Sequence, residues 1–580
     1  MTNKVEQKVS VFDRSFFESE NRISAIGTGF LGGKASGLLQ MDSILQTEIH
    51  SQEYPGFSIQ IPRMVVIRTD VFDAFLKQND LHEVAYSDQP DDRIAMAFQN
   101  ADLPFEILGD LRSLISGVKV PLAIRSSSRL EDAMYEPFAG IYGTKMTPNN
   151  QFDVDSRFRK LLEGIKFVYA STFFKAAKEY MKATKHQIQD EKMAVIIQEV
   201  VGQRFQNRYY PEISGVARSY NYYPVGHAKP EDGIINLALG LGKTIVDGGQ
   251  SWAYSPSYPR TNPPFKSMSN MLKETQTEFW AVNMGSLPEY NPIKETEYLA
   301  QGTLSDAELD GSLKHVASTY DATADRIWPG LGGTGPRILT FAPILILETI
   351  PLTALVKKLL NVCEERVGAA VEMEFAVTIS DDGQNPFRFG FLQVRPMVVS
   401  TEEVELDPGD MMGESVLLAS ERVLGNGVLN NLTDIVYIDP DAFKKEATHE
   451  IAQQIGSFNE KLRETNTPYL LIGFGRWGTT DPTAGIPVEW GQVAGAKVIV
   501  EASLEHIYAE MSQGSHFFHN VTGFGVFYFS VPYAGPHQIN WALLDQKQVV
   551  DQTPFIKHIK LNHPLHIKVD GKTGKGVIKL

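Results

Sequence analysis

Three stretches of the 580-residue chain carry residues that could grip a phosphorylated ligand and its metal ion. The first, residues 27–41 (GTGFLGGKASGLLQM), sets several glycines and Lys34 at the start of a helical pattern. Backbone N–H groups at a helix start, with an ammonium beside them, hold phosphate oxygens. The glycine spacing is not that of a standard P-loop and Ala35 follows the lysine, so a simple tight turn stays open. The second, residues 122–146 (LAIRSSSRLEDAMYEPFAGIYGTKM), puts Arg125 at a strand end, then three serines, then a Phe-Ala-Gly turn before Thr144. A guanidinium can clamp two phosphate oxygens while hydroxyls and amides supply further donors; the bland alternative is a surface arginine on a serine-rich loop. The third is a pair of strand-like segments, VEMEFAV and FLQVRPM. Alternation puts Glu372 and Glu374 on one side, Met373 and Phe375 on the other, and Gln393 on the same face as Arg395. The Glu374 carboxylate and the Gln393 amide are oxygen ligands of the kind Mg2+ takes, although the same residues would equally suit the solvent face of an edge hairpin.

Those residues need strands and helices to bring them together. RMVVIRT at 63–69, VFDAFLKQND after it and PLAIRSS at 121–127 alternate strand and helix, a mixed α/β signature. Residues 158–185 repeat apolar and aromatic side chains at helical spacing and predict a long helix, whole or broken. MAVIIQEVV at 193–201 reads as a buried strand, and residues 233–255 run from a strand into a glycine-rich turn; both are assigned to one sheet lobe. The proline-rich stretch at about 256–300 predicts low order, as a surface excursion or a lid. Residues 353–379 read as helix then strand, with 388–400 as an antiparallel neighbour across the turn SDDGQNP. The acidic segment TEEVELDPGDMMGE at 401–414 reads as a linker. It divides a unit of 1–400, with lobes of roughly 20–190 and 191–400, from a further domain of 415–580. No internal repeat and no low-complexity tract is present.

Composition narrows the partners. With 54 Lys and Arg against 70 Asp and Glu, the net charge is −16. That disfavours unspecific attachment to nucleic acid or anionic membrane, which select basic surfaces. A polyanionic ligand must then be met by a local cluster of cations and amides. No apolar run reaches the ~18 to 20 residues of a membrane-spanning helix, and the polar N-terminus lacks a secretory apolar segment. The single cysteine, Cys363, cannot build a disulfide framework. A soluble, cytoplasmic protein is expected.

Taken in order, the stretches resemble the nucleotide domain of the pyruvate phosphate dikinase and phosphoenolpyruvate synthase family over roughly residues 20–400. GGKASGL resembles the GGKGANL-type loop, and IRSSSRLEDAMYEPFAGIYGT the VRSS segment with its FAGQ-type turn. EMEFAV and LQVRP resemble DIEW and LQARP, PRMVVIRTDVFDAFL the P-x-G-F-V-I-T segment, and IIQEVVG the interlobe strand; ISGVARSYN is similar to VSGVAFTxNP and ALGLGKTIVDGG to WGLGEAVVxG. The resemblance implies an ATP-grasp fold of two lobes closing over ATP, with Mg2+ as cofactor. Carried over, Lys34, Arg125 and Arg395 hold phosphates. Thr144 and the turn with Gly240, Gly242 and Gly248 enclose them, Gln198, Glu199 and Val200 face the adenine, and Glu374 and Gln393 hold magnesium. Departures stand at Ile141, Gly143 and Lys243, where the family has glutamine, an acidic residue and glutamate, and an insertion, QRFQNRYYPE, precedes ISGV.

In that family a swivelling domain carries a phosphate-accepting histidine in a GGxTSHAAxxAR segment. MSQGSHFFHNVTGFGVFYFSV at 511–531 has the same outline, which makes His516 the candidate and His519 a poorer one. Phenylalanines replace the alanines and Asn520 an apolar position, so a packing role is an even alternative. Neutral imidazole is a competent nucleophile. The stretch YLLIGFGRWGTTDPTAGIPVEWGQV at 469–493, with Arg476, Trp477 and Asp481, reads as a ligand loop or a rigid turn. About 165 residues are too few for the family's (β/α)8 barrel of ~250, which argues against pyruvate as acceptor. The expected architecture is α/β (α+β), an ATP-grasp domain followed by a smaller domain of phosphohistidine type. The expected function is an ATP- and Mg-dependent phosphotransferase with Arg125, Arg395 and His516 catalytic and its acceptor unknown; the alternative is an ATP-binding regulator or scaffold without turnover.

Overall fold

Strands made of unbroken apolar runs must be covered on both faces, and the first sheet obeys this. In the computed structural model, Met64–Ile67 and Met193–Glu199 lie adjacent in a six-stranded sheet ordered Ser10–Val11, Ile23–Ile26, Met64–Ile67, Met193–Glu199, Leu122–Ser128, Thr144–Thr147. Val65, Ile67, Val195 and Ile197 point into one core, while Met64, Val66, Ala194 and Ile196 point into another. Residues 9–580 are described, apart from 132–137, 185, 264, 266, 381–386, 400–403, 405, 480–483, 505–514 and 572. The turn SDDGQNP, most of the proposed linker's start, Asp481 and residues 511–514 therefore lie wholly or largely outside the described residues.

A second six-stranded sheet runs Trp252–Tyr254, Ile234–Ala238, Ile213–Arg218, Val371–Thr378, Phe387–Pro396, Phe57–Gln60. The expected hairpin is its centre. Val371–Thr378 and Phe387–Pro396 pair antiparallel, with Glu372 opposite Arg395 and Glu374 opposite Gln393. The placement of 193–201 and 233–255 in one sheet is corrected, since the first belongs to the first sheet and the second to the second. Apolar content reports burial on two faces but not which partner supplies the ladder. Phe57–Gln60 likewise leaves its sequence neighbours to pair parallel with Phe387–Pro396.

The long helical stretch is two helices, Val154–Ser171 and Lys175–Ala183; Asp153 caps the first by accepting from the Ser156 N–H. The region 256–300 is more ordered than its prolines suggest: it holds the helix Met268–Glu274 and the strand Glu278–Asn283. That strand joins Leu299–Thr303 on one side and, on the other, a hairpin that is the inserted QRFQNRYYPE segment. Gln203–Phe205 and Arg208–Tyr210 pair across a turn in which Gln206 adopts φ 48°.

The C-terminal part is built on a nine-stranded sheet with Gly427–Ile438, Tyr469–Phe474, Ala496–Ala502 and Phe527–Val531 as a parallel centre. Helix Thr448–Glu464 makes the crossover between the first two. The outlined histidine segment is helix His516–Gly523 followed by the strand Phe527–Val531, with Ser515 as N-cap accepting from the Phe518 N–H. Its apolar side chains and those of the first lobe's helices form one continuous core. Tyr180 and Phe524 stack edge to face at 5.2 Å across that junction.

Candidate functional site

Arg125 sits where the two sheets meet. On its strand it lies opposite Ile196 and Thr144. From there its guanidinium reaches across to the hairpin of the second sheet, donating to the Gln393 Oε1 at 2.7 Å, to the Leu392 carbonyl at 3.0 Å and to the Gln198 Oε1 at 3.2 Å. Residues 268 positions apart in the chain are thereby in direct contact.

Lys34 enters from the helix Gly33–Glu48, whose N-cap Gly32 has φ 79° and presses on the Ser127 carbonyl so closely that no Cβ would fit. This close approach requires glycine. Lys34 Nζ donates to the Ser126 Oγ at 3.1 Å and to the buried Glu131 carboxylate at 2.7 Å, while the Ser127 Oγ accepts the Ala35 N–H. The lysine loop and the serine segment thus form one unit. Glu131 was not among the expected site residues, and nothing in its spacing distinguishes it from a surface acid.

Arg395 donates through Nε and Nη2 to the Glu372 Oε1 at 2.9 and 2.5 Å. The other Glu372 oxygen accepts from Arg218 Nε at 2.6 Å and contacts the His519 Nε2 at 2.7 Å. All four groups are buried. Burial opposes ionisation of Glu372, but Arg395, His519 and Arg218 hold its carboxyl well below the usual range. Burial, then the charge of Arg395, pushes His519 down to about 4. His519 belongs to the C-terminal part of the chain and Glu372 to the hairpin of the second sheet, so the two are joined by this contact.

His516 opens the same helix. A Cβ on Gly140, where φ is 67°, would lie 2.5 Å from the His516 ring, so the imidazole rests on the Phe-Ala-Gly turn. Its Nδ1 is buried without a hydrogen-bond partner. Burial, followed by Arg395, His519 and Lys34, lowers its pKa well below the ordinary histidine value, which leaves the ring neutral. Asn520 donates to the Ala139 carbonyl at 3.4 Å and accepts from the Tyr180 hydroxyl at 3.2 Å, and that hydroxyl itself accepts the Phe138 N–H. The departure at Asn520 therefore fastens the C-terminal part to the first lobe.

The remaining expected residues lie around this centre. Gln198 is buried beside Arg125. The Glu199 and Val200 N–H groups donate to the Arg63 and Pro121 carbonyls, and the Val200 carbonyl accepts the Tyr209 hydroxyl. Burial raises the Glu199 carboxyl against the pull of Arg63, Arg388 and Arg22. Gly240 and Gly248 take φ of 82° and 77°, and Gly242 caps the short helix Lys243–Val246 between them. The Thr144 N–H donates to the Glu295 carboxylate, whose pKa burial raises while Lys243 and that N–H lower it. The Gly248 carbonyl accepts from Arg476 Nη1 at 2.9 Å. Glu374 faces Gln393 across the hairpin ladder. Among the described residues, no group of three His, Cys, Asp or Glu gathers as a metal site. A carboxylate and an amide on one hairpin face are oxygen ligands of the kind Mg2+ takes, its others coming from water and phosphate, and the amide oxygen of Gln393 is the one that accepts from Arg125.

No helix among the described residues is long and apolar enough to cross a membrane. A comparison with curated proteins returns no match. The profile of the pyruvate phosphate dikinase AMP/ATP-binding domain matches residues 28–414, which take in the second six-stranded sheet and the first apart from its strands Ser10–Val11 and Ile23–Ile26. The fold of this part is of ATP-grasp type, and the family couples ATP binding to phosphoryl transfer. With two thirds of its length matched, the chain belongs to the family of the pyruvate phosphate dikinase AMP/ATP-binding domain.

Proposed function

We propose that the chain is an ATP-dependent phosphotransferase in which His516 receives a phosphoryl group from a nucleotide held at the meeting of the two sheets. What supports this reading is the position of His516: it rests on the Gly140 turn, with the charges of Arg395 and Lys34 acting on it. A phosphoryl-accepting histidine must be neutral and must sit within reach of phosphate-binding cations. In the proposed step the unprotonated ring nitrogen forms a bond to phosphorus as the bond to the leaving phosphate oxygen breaks; the proton on the other ring nitrogen is then released. Lys34, Arg125 and Arg395 stabilise the charge on the transferring group, the largest lever available in phosphoryl transfer. Thr144 and the turn of Gly240, Gly242 and Gly248 enclose the phosphates, and Gln198, Glu199 and Val200 line the base. Glu374 and Gln393 would hold Mg2+, which neutralises phosphate charge.

The test is incubation with γ- and β-labelled ATP. Acid-labile label on the wild type that is absent from His516→Ala is the expected result, and AMP as product would mark a dikinase. Label that survives His516→Ala would refute the histidine route.

A second reading, an ATP-binding regulator without turnover, draws on Lys34 and Arg395 being already paired with Glu131 and Glu372. It predicts saturable ATP binding with neither label nor AMP.

A further inference from the structure

The loop between the strands Glu278–Asn283 and Leu299–Thr303 does not stay on the sheet that carries it. That sheet is joined to the Gly240 turn of the second lobe, where the Leu241 N–H donates to the Trp280 carbonyl. From there residues 284–298 cross to the first lobe and are fastened along its strand Thr144–Thr147 and helix Val154–Ser171. Lys145, only 1% exposed, is the main fastening. Its ammonium donates to the carbonyls of Asn291 and Lys294 at 3.1 and 2.6 Å, pairs with Glu297 at 2.7 Å and lies over the rings of Tyr290 and Tyr298. The three N–H donors of a lysine are then all engaged. Lys160 adds a bond to the Tyr298 hydroxyl at 2.7 Å, and Asn150 one to the Met284 carbonyl at 2.8 Å. The second Glu297 oxygen takes the Asn291 N–H, which ties the loop to itself.

Held in this way, the loop delivers one carboxylate to the site. Glu295 accepts the Thr144 N–H. Burial raises its pKa, and Lys243, on the turn between Gly240 and Gly248, is the charge that pulls hardest the other way. A backbone amide has one hydrogen to donate, so a phosphate oxygen and the Glu295 carboxylate compete for that of Thr144. Two anions brought together there also repel each other. We propose that residues 284–298 are an autoinhibitory strap: Glu295 stands where a phosphate oxygen would accept the Thr144 amide, and a nucleotide seats its phosphates only when the strap lifts. The strap matters only if Thr144 and the Gly240–Gly248 turn enclose phosphate, the reading proposed above, whereas transfer to His516 is not required. Because the strap springs from one lobe and is fastened to the other, lifting it also releases the lobes from each other along this edge.

Two measurements on the full chain test this. In titration calorimetry with Mg-ATP, Glu295→Gln should bind roughly tenfold tighter than the wild type. The affinity of a closed site is cut by the fraction of molecules that are open, and a neutral amide holds the strap less firmly than a carboxylate does. In the wild type, Mg-ATP should accelerate tryptic cleavage after Lys294 severalfold, since Lys145 holds that scissile carbonyl while the strap is down. Mass spectrometry identifies the cut by fragments of residues 1–294 and 295–580. A thermal melt establishes that Glu295→Gln is folded, and the cleavage needs no variant. The strap is overturned by an affinity in Glu295→Gln equal to or weaker than that of the wild type, by absence of saturable heat with both proteins, or by cleavage after Lys294 that Mg-ATP slows or leaves unchanged. Neither measurement reads phosphate on His516, so failure of the labelling test leaves the strap standing, and failure of the strap leaves the labelling test standing.

Discussion

At the residue scale, Glu372 is the point on which the candidate site turns. One buried carboxylate serves Arg395, Arg218 and His519, so removing it leaves buried cations without a counter-charge. Breaking such an arrangement typically costs about 3 to 5 kcal/mol, because the stranded charge rather than the lost bond dominates. Glu372→Gln is expected to lower the melting temperature strongly and to weaken ATP binding through disorder of Arg395; calorimetry checks both. His519 sets the pH dependence. Its pKa is near 4 in the folded protein against an ordinary 6.5, so between those values the unfolded chain binds more protons than the folded one. Stability from this group is complete above about pH 6.5 and is lost as pH falls toward 4. Glu372, held below its ordinary 4.5, loses its contribution in the same direction at lower pH. His519→Gln keeps a donor for Glu372 and removes the titration, so the slope of melting temperature against pH should flatten between pH 4 and 6.5 relative to wild type. An unchanged slope would assign the pH response to other groups.

At the scale of elements, much of the arrangement was legible and its limits have a common cause. The hairpin of Glu372, Glu374, Gln393 and Arg395 follows from alternation, a local property, and so does the helix that opens at His516. The contact of Arg125 with Gln393 and that of His519 with Glu372 depend on long-range pairing, which no periodicity encodes. Sheet membership of the Gln198 strand failed for the same reason. Asn520 read as a flaw in the motif because its partners, Tyr180 and the Ala139 carbonyl, lie more than 300 residues away. The turn bearing Gly140 joins these levels. A methyl group there meets the His516 ring at 2.5 Å and the backbone already has φ 67°. A left-handed conformation costs a non-glycine residue roughly 1 to 2 kcal/mol before any clash. Gly140→Ala should therefore push the histidine helix off the turn, cutting acid-labile labelling while ATP affinity, measured separately, changes little. Equal losses in both would mean that the turn serves nucleotide rather than histidine.

At the scale of the molecule, the C-terminal part is packed onto the ATP-binding domain. Apolar residues of the Val154–Ser171 and Lys175–Ala183 helices and of the C-terminal sheet share one core. The Arg476 contact with Gly248, the His519 contact with Glu372 and the Asn520 contact with Ala139 fasten its edge. A domain that swivels freely on a linker would unfold independently of its neighbour, whereas one that shares a core lends it stability. Cutting at residue 414 removes Phe524 and Asn520 from Tyr180, which is fully buried in the whole chain. Each aromatic exposed forfeits about 1.5 to 3 kcal/mol of burial. The full chain should thus melt in a single cooperative calorimetric transition, and a fragment of residues 1–414 should melt several degrees lower and bind an apolar dye. Two separate transitions in the full chain, with the lower or upper one reproduced unchanged by the fragment, would show that docking contributes nothing to the stability of the nucleotide domain. In that case the burial of His516 and His519 would be a transient arrangement, and the pH and Gly140 effects predicted above would vanish with it.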